Sequence, residues 1–309
     1  MFIDMEKVLI LLSSYNGEKY LAEQLDSILS QTGVEIHILI RDDGSTDSTT
    51  DIIERYQSKH PDCIILIKGS NIGWRKSFFS LAQLAQKDFP HFKYFAFADQ
   101  DDIWLPQKLK RGVDTLKKLP AGPNLYCSNI IRYKDGVALG KLRNVSVKPT
   151  FKGCLVRNYA TGCTMVFNRA LLDLICRNIP TIKIAHDYWF YMVACLCGSA
   201  VIDDESFIWY RMHDSNQVGF KSGIFEIWQR RLKSVSNLLK NKEKEETAKE
   251  LLRIHGDSMT GEAREAVAKL AAYKTSISKR LSLLFGNDYS YNSRSNDFWL
   301  KLRILCGRL

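Results

Sequence analysis

The chain has 309 residues, of which 45% are hydrophobic and 25% charged, and it carries a net charge of +10. These proportions are those of an ordinary globular protein and exclude a disordered, collagenous or coiled-coil chain. No apolar run reaches the roughly 18 residues of a membrane span, and Met1 to Lys7 lack the pattern of a secretory signal, so the expected compartment is the cytosol.

The first two-thirds alternate between short apolar runs and helical spacing. Lys7 to Ser13 (KVLILLS) suits a strand buried on both faces. Ser14 to Gly17 break it, and Leu21, Leu25, Ile28 and Leu29 then fall on one helical face. Ile36 to Arg41 reads as a second strand, with Ile52, Ile53 and Tyr56 on the helix behind it. Cys63 to Ile67 is a third, followed by Phe78, Leu81, Leu84 and Ala85, and Tyr94 to Ala98 is a fourth. Strand and helix alternating at these lengths predict crossover units and a mostly parallel sheet. Beyond Pro106 the pattern is mixed: a helix over about 107–119, strands near 125–131, 163–167 and 207–211, and helices near 169–176 and 187–195. Asp135-Gly136 is a hairpin turn signal. From about Ile224 the chain reads as helices, broken at Gly256, Gly261 and over 286–296, and the boundary is expected near residue 220.

Charge follows that boundary. From Lys221 to Leu309 there are 18 Lys plus Arg against 10 Asp plus Glu, while the first 220 residues are nearly balanced. Such an excess suits nucleic acid, an anionic lipid surface, or simply a solvated helical face. Of the eight cysteines, none has a partner at zinc spacing, and most sit among apolar residues, so buried structural thiols are expected.

The densest chemical signal is Asp99-Gln100-Asp101-Asp102, directly behind the fourth strand. Three carboxylates in four residues at the carboxyl edge of a parallel sheet repel one another unless a cation neutralises them, and their oxygens suit Mg²⁺ or Mn²⁺. A helix N-cap would account for only one of them. A second acidic turn, Asp42-Asp43-Gly44-Ser45, follows the second strand. Capping and a positive-φ glycine explain its Gly-Ser-Thr-Asp portion. The paired carboxylates are left free to accept from a pyrimidine imide or a ribose hydroxyl.

Taken in order, Ser13-Ser14-Tyr15-Asn16-Gly17, Asp42-Asp43-Gly44-Ser45 and Phe97 to Trp104 (FADQDDIW) resemble glycosyltransferase family 2, and most closely its bacterial rhamnosyltransferase-like branch. The resemblance covers about residues 5–220. It implies a GT-A fold and a nucleotide-diphosphate sugar donor, dTDP-rhamnose or a UDP-hexose. By this resemblance Ser13, Tyr15 and Asp43 contact the nucleotide, with Tyr15 stacked on the base. Asn71 and Gly73 belong to a donor-side loop, and Asp99 and Asp101 hold Mn²⁺ or Mg²⁺, Asp101 most directly. Asn129 stands where the family often has Asp. Within His186-Asp187-Tyr188-Trp189, Asp187 matches the general base toward the acceptor hydroxyl; read without the family it would serve as a helix cap. Tyr210-Arg211-Met212-His213 ends the last strand, where His213 would join the metal and Arg211 face the diphosphate. The implied reaction is an inverting single displacement with the metal on the leaving group.

Two other classes fit parts of the chain. A nucleotidyltransferase would favour a Gly-rich phosphate loop, but Ser13 to Lys19 holds one Gly. A nucleic-acid-binding protein would interleave aromatic and basic residues on a recognised module, which is not seen. A non-catalytic relic of the enzyme is opposed by Asp99, Asp101 and Asp187. The segment Phe298 to Leu305 (FWLKLRIL) mixes apolar and basic residues at helical spacing. It suits a membrane interface, as needed for a lipid-linked saccharide acceptor, a helix docked on its own domain, or dimer packing. The expected organisation is a catalytic unit over 1–220 and a basic helical extension over 221–309, without a nucleic-acid partner.

Overall fold

A computed structural model describes residues 5–213, 243–275, 277–285, 289, 294–305 and 307. Three β–α units open the chain: β1 (Lys7–Ser14), α1 (Leu21–Leu29), β2 (Glu35–Asp42), α2 (Thr49–Lys59), β3 (Ile64–Lys68) and α3 (Trp74–Asp88), followed by β4 (Tyr94–Ala98). These strands pair in parallel in the order β3-β2-β1-β4. The chain therefore winds outward from β1 to β3 and returns to the far side of β1. The order reverses between β1 and β4, and a crevice opens there at the carboxyl ends of the strands.

The sheet continues as a mixed half. After β5 (Ile103–Trp104) and α4 (Lys108–Leu116) come β6 (Asn124–Lys134) and β7 (Val137–Lys141), then the short helix α5 (Gly153–Val156) and a 3₁₀ turn at Gly162–Thr164. β8 (Met165–Asn168), α6 (Arg169–Cys176), α7 (His186–Cys197) and β9 (Ser199–Arg211) complete it. β8 lies antiparallel between β4 and β6, β9 runs parallel to β6, and β5 closes the edge against β9. The hairpin β6–β7 turns at Asp135 and Gly136, both at positive φ (48° and 83°), as a type I′ turn requires. β9 is longer than its expected span of 207–211. Asp203-Asp204-Glu205 interrupt its apolar pattern where the β6 ladder shifts register, which hides the first half of the strand from periodicity.

Alternation along β1 separates two cores. Val8, Ile10 and Leu12 face α1, α2 and α4, while Leu9 and Leu11 face α3, α6 and α7; all five are fully buried. The second core also receives the C-terminal helices α8 (Glu243–His255), α9 (Gly261–Ala271), α10 (Ile277–Phe285) and α11 (Arg294–Leu305). Their contributions include Leu251, Val267, Leu270, Leu300 and Ile304. One face of α11 is thus docked on the chain itself, while Phe298 and Leu305 are more than half exposed. No helix among the described residues is long and apolar enough to cross a membrane. The described cysteines are free thiols. Cys163 is fully buried in the first core as expected, and its sulfur also lies within 4.8 Å of ligand atoms of Asp99 and Asp102. The expected boundary near 220 and the stretch 214–219 lie outside the described residues.

Candidate active site

A cavity of about 580 Å³ occupies the crevice at the β1/β4 reversal. Ser13, Tyr15, Asp43, Asn71 and Gly73 form one wall; Asp99, Asp101, Asp187 and His213 form the other. Nine of the residues singled out from sequence thus meet in one space, although they span 200 positions of chain. Arg211 is not on that wall. Its guanidinium pairs with Glu23 and donates to the Asp101 carbonyl at 2.9 Å, so it braces the acidic loop from behind.

The nucleotide-side loops are knitted by short polar side chains. Asp42 accepts from the backbone N–H groups of Gly44 and Ser45 (3.2 and 2.9 Å) and from the Ser14 and Ser45 hydroxyls. Asp43 pairs with the buried Arg41 and accepts from the N–H groups of Ile72 (2.9 Å) and Gly73 (2.8 Å). Both carboxylates therefore have structural work that the sequence did not disclose: Asp42 closes its own turn and Asp43 shapes the Asn71–Gly73 loop. Gly73, at φ 81°, enters α3 with its N–H on Asp43. Ser13 Oγ meets Ser77 Oγ at 2.6 Å, and Arg41 also reaches Ser77. Tyr15 is 45% exposed at the rim, with its ring unburied.

The acidic side is built differently. Asp101 Oδ2 lies 2.8 Å from His213 Nε2, whose ring stacks on Tyr20. Asp99 sits instead beside Asp102 and Cys163. Burial, with Asp101 and Asp187 nearby, raises the Asp99 carboxyl to about 7. Asp102 is fully buried and pushed well above its ordinary value by burial and by Asp101 and Asp99; its Oδ1 accepts from the Arg211 N–H at 3.3 Å and its Oδ2 has no hydrogen-bond partner. An orphaned buried carboxylate oxygen beside two further carboxylates fits a cation. The Asp101 oxygens and the His213 nitrogen form a donor set suited to Mn²⁺ or Mg²⁺.

Asp187 stands in the first turn of α7, one residue past its start. Ala185 holds the N-cap position and makes no side-chain cap bond, so Asp187 is not the cap. Burial lifts its carboxyl to about 6, although the N–H groups of Tyr188 and Gly162 and the Asn158 side chain favour the charged form. His186 beside it is neutral, driven down to about 3 by burial. It stacks on Phe78 at 4.0 Å between centroids, with Trp74 and Phe97 edge-on. A Cβ on Gly162 would lie 2.8 Å from His186 Nε2, so only glycine allows that turn to approach α7.

Arg41, Gln100, Gly162 and His186 were not anticipated as site residues. Gln100 and His186 stood inside motifs already singled out, and Arg41 adjoined one. Thr161-Gly162 carried no signal, since a close approach between distant segments leaves no periodic trace. Asn129 is structural: buried, it bonds the backbone of Arg143 and Asp204.

A parallel sheet with its acidic cluster at the switch point is the arrangement of a ligand-binding α/β protein. Residues 9–176 match the profile of Glycosyl transferase family 2. A dTDP-rhamnosyl transferase of Shigella flexneri is 34% identical over 217 residues, covering 67% of this chain and 73% of the relative. A putative teichuronic acid biosynthesis glycosyltransferase of Bacillus subtilis is 25% identical over 181 residues, 58% of this chain and 68% of the other. The chain belongs to glycosyltransferase family 2 and is a glycosyltransferase. Its fold is GT-A. Staphylococcus aureus TarS 1-349 with UDP-GlcNAc aligns at TM-score 0.53 and 19% identity, over 98% of this chain and 92% of that one. A Pyrobaculum calidifontis mannosyltransferase with GDP-Man and Mn²⁺ aligns at 0.52 and 14%, over 98% and 86%. Family membership favours the glycosyltransferase over the nucleotidyltransferase alternative.

Proposed function

We propose that the chain transfers a single sugar from dTDP-rhamnose or a UDP-hexose to a saccharide acceptor, with inversion, in the assembly of a cell-surface polysaccharide or O-antigen. The Shigella flexneri relative supports dTDP-rhamnose as the first donor to test. The observation that carries the reading is a carboxylate tuned to about 6, Asp187, sharing one cavity with the Asp99–Asp101 pair.

Tyr15 stacks on the base, Ser13, Asp43, Asn71 and Gly73 line the nucleoside pocket, and Arg211 supports the diphosphate side through the acidic loop. Asp101 and His213 would hold Mn²⁺ or Mg²⁺, with Asp99 lining the same cavity. When bound, the cation supplies Lewis-acid stabilisation to the departing nucleoside diphosphate. Asp187 takes the proton of the acceptor hydroxyl as its oxygen bonds to the anomeric carbon. The carbon–oxygen bond to the diphosphate breaks on the opposite face, carrying its electron pair away, which inverts the centre. A carboxylate near 6 is ionised at neutral pH yet basic enough to accept that proton. We assign catalysis to residues 1–220. To 221–309 we assign docking on an anionic membrane at the cytoplasmic face, where a lipid-linked acceptor would be met. Its basic excess supports this, and so do the exposed Ile277, Leu281 and Phe285 on α10.

Calorimetry with UDP and dTDP in Mn²⁺ tests the donor site. Asp101→Asn is expected to lose metal-dependent nucleotide binding, and unchanged affinity would refute the metal assignment. Flotation with anionic vesicles at low and high salt tests docking; a full chain that stays unbound at low salt removes that role.

A further inference from the structure

Gln100 lies between two of the acidic residues, yet its side chain turns away from them, back to the connection between β1 and α1. Its Oε1 accepts from the Tyr15 N–H at 2.8 Å and its Nε2 donates to the Tyr15 carbonyl at 3.0 Å. One side-chain amide thus pairs with both backbone polar groups of Tyr15, as a neighbouring strand would. The next two N–H groups, of Asn16 and Gly17, donate instead to Ser45 Oγ (2.9 Å) and Thr49 Oγ1 (2.7 Å). The loop is therefore held by the β2–α2 connection and the first residue of α2 at Asn16, Gly17 and Glu18, and by the acidic loop at Tyr15. With 45% of Tyr15 exposed, packing does little to fix its ring, and the backbone anchor decides where the ring stands.

Gly17 supplies an independent observation. A Cβ there would lie 2.4 Å from Gln100 Oε1 and 2.6 Å from its Cδ, and its three nearest neighbours all belong to that side chain. The backbone of Gly17 is not in the left-handed region, so alanine is tolerated conformationally. What an added methyl would evict is the flexible end of Gln100. Glycine at 17 and glutamine at 100 are thus one device, built from loops 83 positions apart.

We propose that Gln100 is a positioning residue that locks Tyr15 to the acidic loop, so that the base-stacking ring and the cation-holding carboxylates form one preorganised donor site. This rests on the reading of Tyr15 and Asp101 as donor-binding residues. Preorganisation raises affinity by removing the cost of ordering the loop on binding.

The test is calorimetry of the full-length chain with UDP and with dTDP in Mn²⁺, with Tyr15→Ala as reference. Gln100→Ala and Gly17→Ala are each expected to weaken binding about tenfold, the cost of ordering on binding a loop that a pair of neutral hydrogen bonds had held. Their unfolding midpoints should fall only slightly, because each neutral hydrogen bond contributes about 1 kcal/mol net to folding. The double variant should bind no more weakly than either single one, because the methyl has nothing left to evict; a merely structural role for either residue would not produce that coupling. Gln100→Glu, which keeps the shape but loses the Nε2 donor, should show the same loss and covers the case in which Gln100→Ala is destabilised. Wild-type affinity in Gln100→Ala and Gln100→Glu alongside weakened Tyr15→Ala overturns the proposal, as do two effects that multiply in the double variant. Wild-type affinity in Tyr15→Ala overturns the donor reading itself.

Discussion

The aspartates behind β2 and those behind β4 and at the start of α7 border the same crevice, yet they live in opposite environments. Asp42 and Asp43 receive backbone N–H groups, hydroxyls and an arginine on nearly every lone pair. Asp102 is fully buried with one oxygen unpartnered, Asp99 and Asp187 are half-buried, and loss of solvation pushes all three above the ordinary carboxylate range, Asp187 in spite of the N–H groups of Tyr188 and Gly162. Satisfied carboxylates build a rigid loop framework, whereas under-satisfied ones are held in a state that a proton or a cation relieves. One residue type thus divides into scaffold and chemistry by the balance of its donors, its solvation and the carboxylates beside it.

The largest effect expected from that contrast is on stability. Asp43→Ala would leave Arg41 buried without its carboxylate and free two N–H groups. It should cost about 3–5 kcal/mol by denaturant unfolding; a loss below about 1 kcal/mol would show that the pair is not the framework we describe. Next, Asp187→Asn should cut kcat by about 10² or more, with UDP and dTDP affinity intact. Near-wild-type turnover would move Asp187 to the scaffold side.

The titration of Asp187 sharpens the comparison in two directions. Below about pH 6 the base is protonated, so kcat/KM should fall about tenfold per pH unit on the acid limb, and that limb should vanish in Asp187→Asn. The stability effect has the opposite sense. The folded chain keeps this proton up to about pH 6, while an unfolded aspartate releases it near pH 3.9. The native state therefore binds more protons in between and loses stability as pH rises through that window. Relative to wild type, Asp187→Asn should be stabilised at pH 8 and matched at pH 3, as read by thermal unfolding. The smallest effect belongs to Asp42→Asn, which keeps one acceptor oxygen. About 1 kcal/mol of stability should be lost, with donor affinity unchanged, and a marked loss of nucleotide binding would place Asp42 in the site.

Much of the architecture was legible as pattern. β4 (Tyr94–Ala98) and α6 (Arg169–Cys176) fall where the apolar run and the helical spacing put them, and the Asp135-Gly136 turn closes its hairpin. These are local signals, carried by residues next to one another. β9 was half-hidden because three acidic residues interrupt it at a register shift. For α11 the docked and membrane-facing readings were both open. Leu300 and Ile304 bury one face in the second core, while Phe298 and Leu305 stay exposed. Amphipathic spacing reports that a helix has two faces, not what covers each.

By itself the sequence determined the parallel β–α beginning, the family and nine of the residues that meet in the cavity. Each was written in contiguous motifs or in the period of apolar residues. Only the tertiary structure decided which carboxylate is framework and which is reactive, that Arg211 braces the acidic loop from behind, that Gly17 yields its space to Gln100, and that Ala185 rather than Asp187 occupies the N-cap position of α7. Most of those outcomes depend on donors and neighbours brought from 29 to 110 positions away, such as Ile72 to Asp43 and Arg211 to Asp101. A carboxylate's burial and partners are properties of that three-dimensional environment, and no spacing along the chain encodes them.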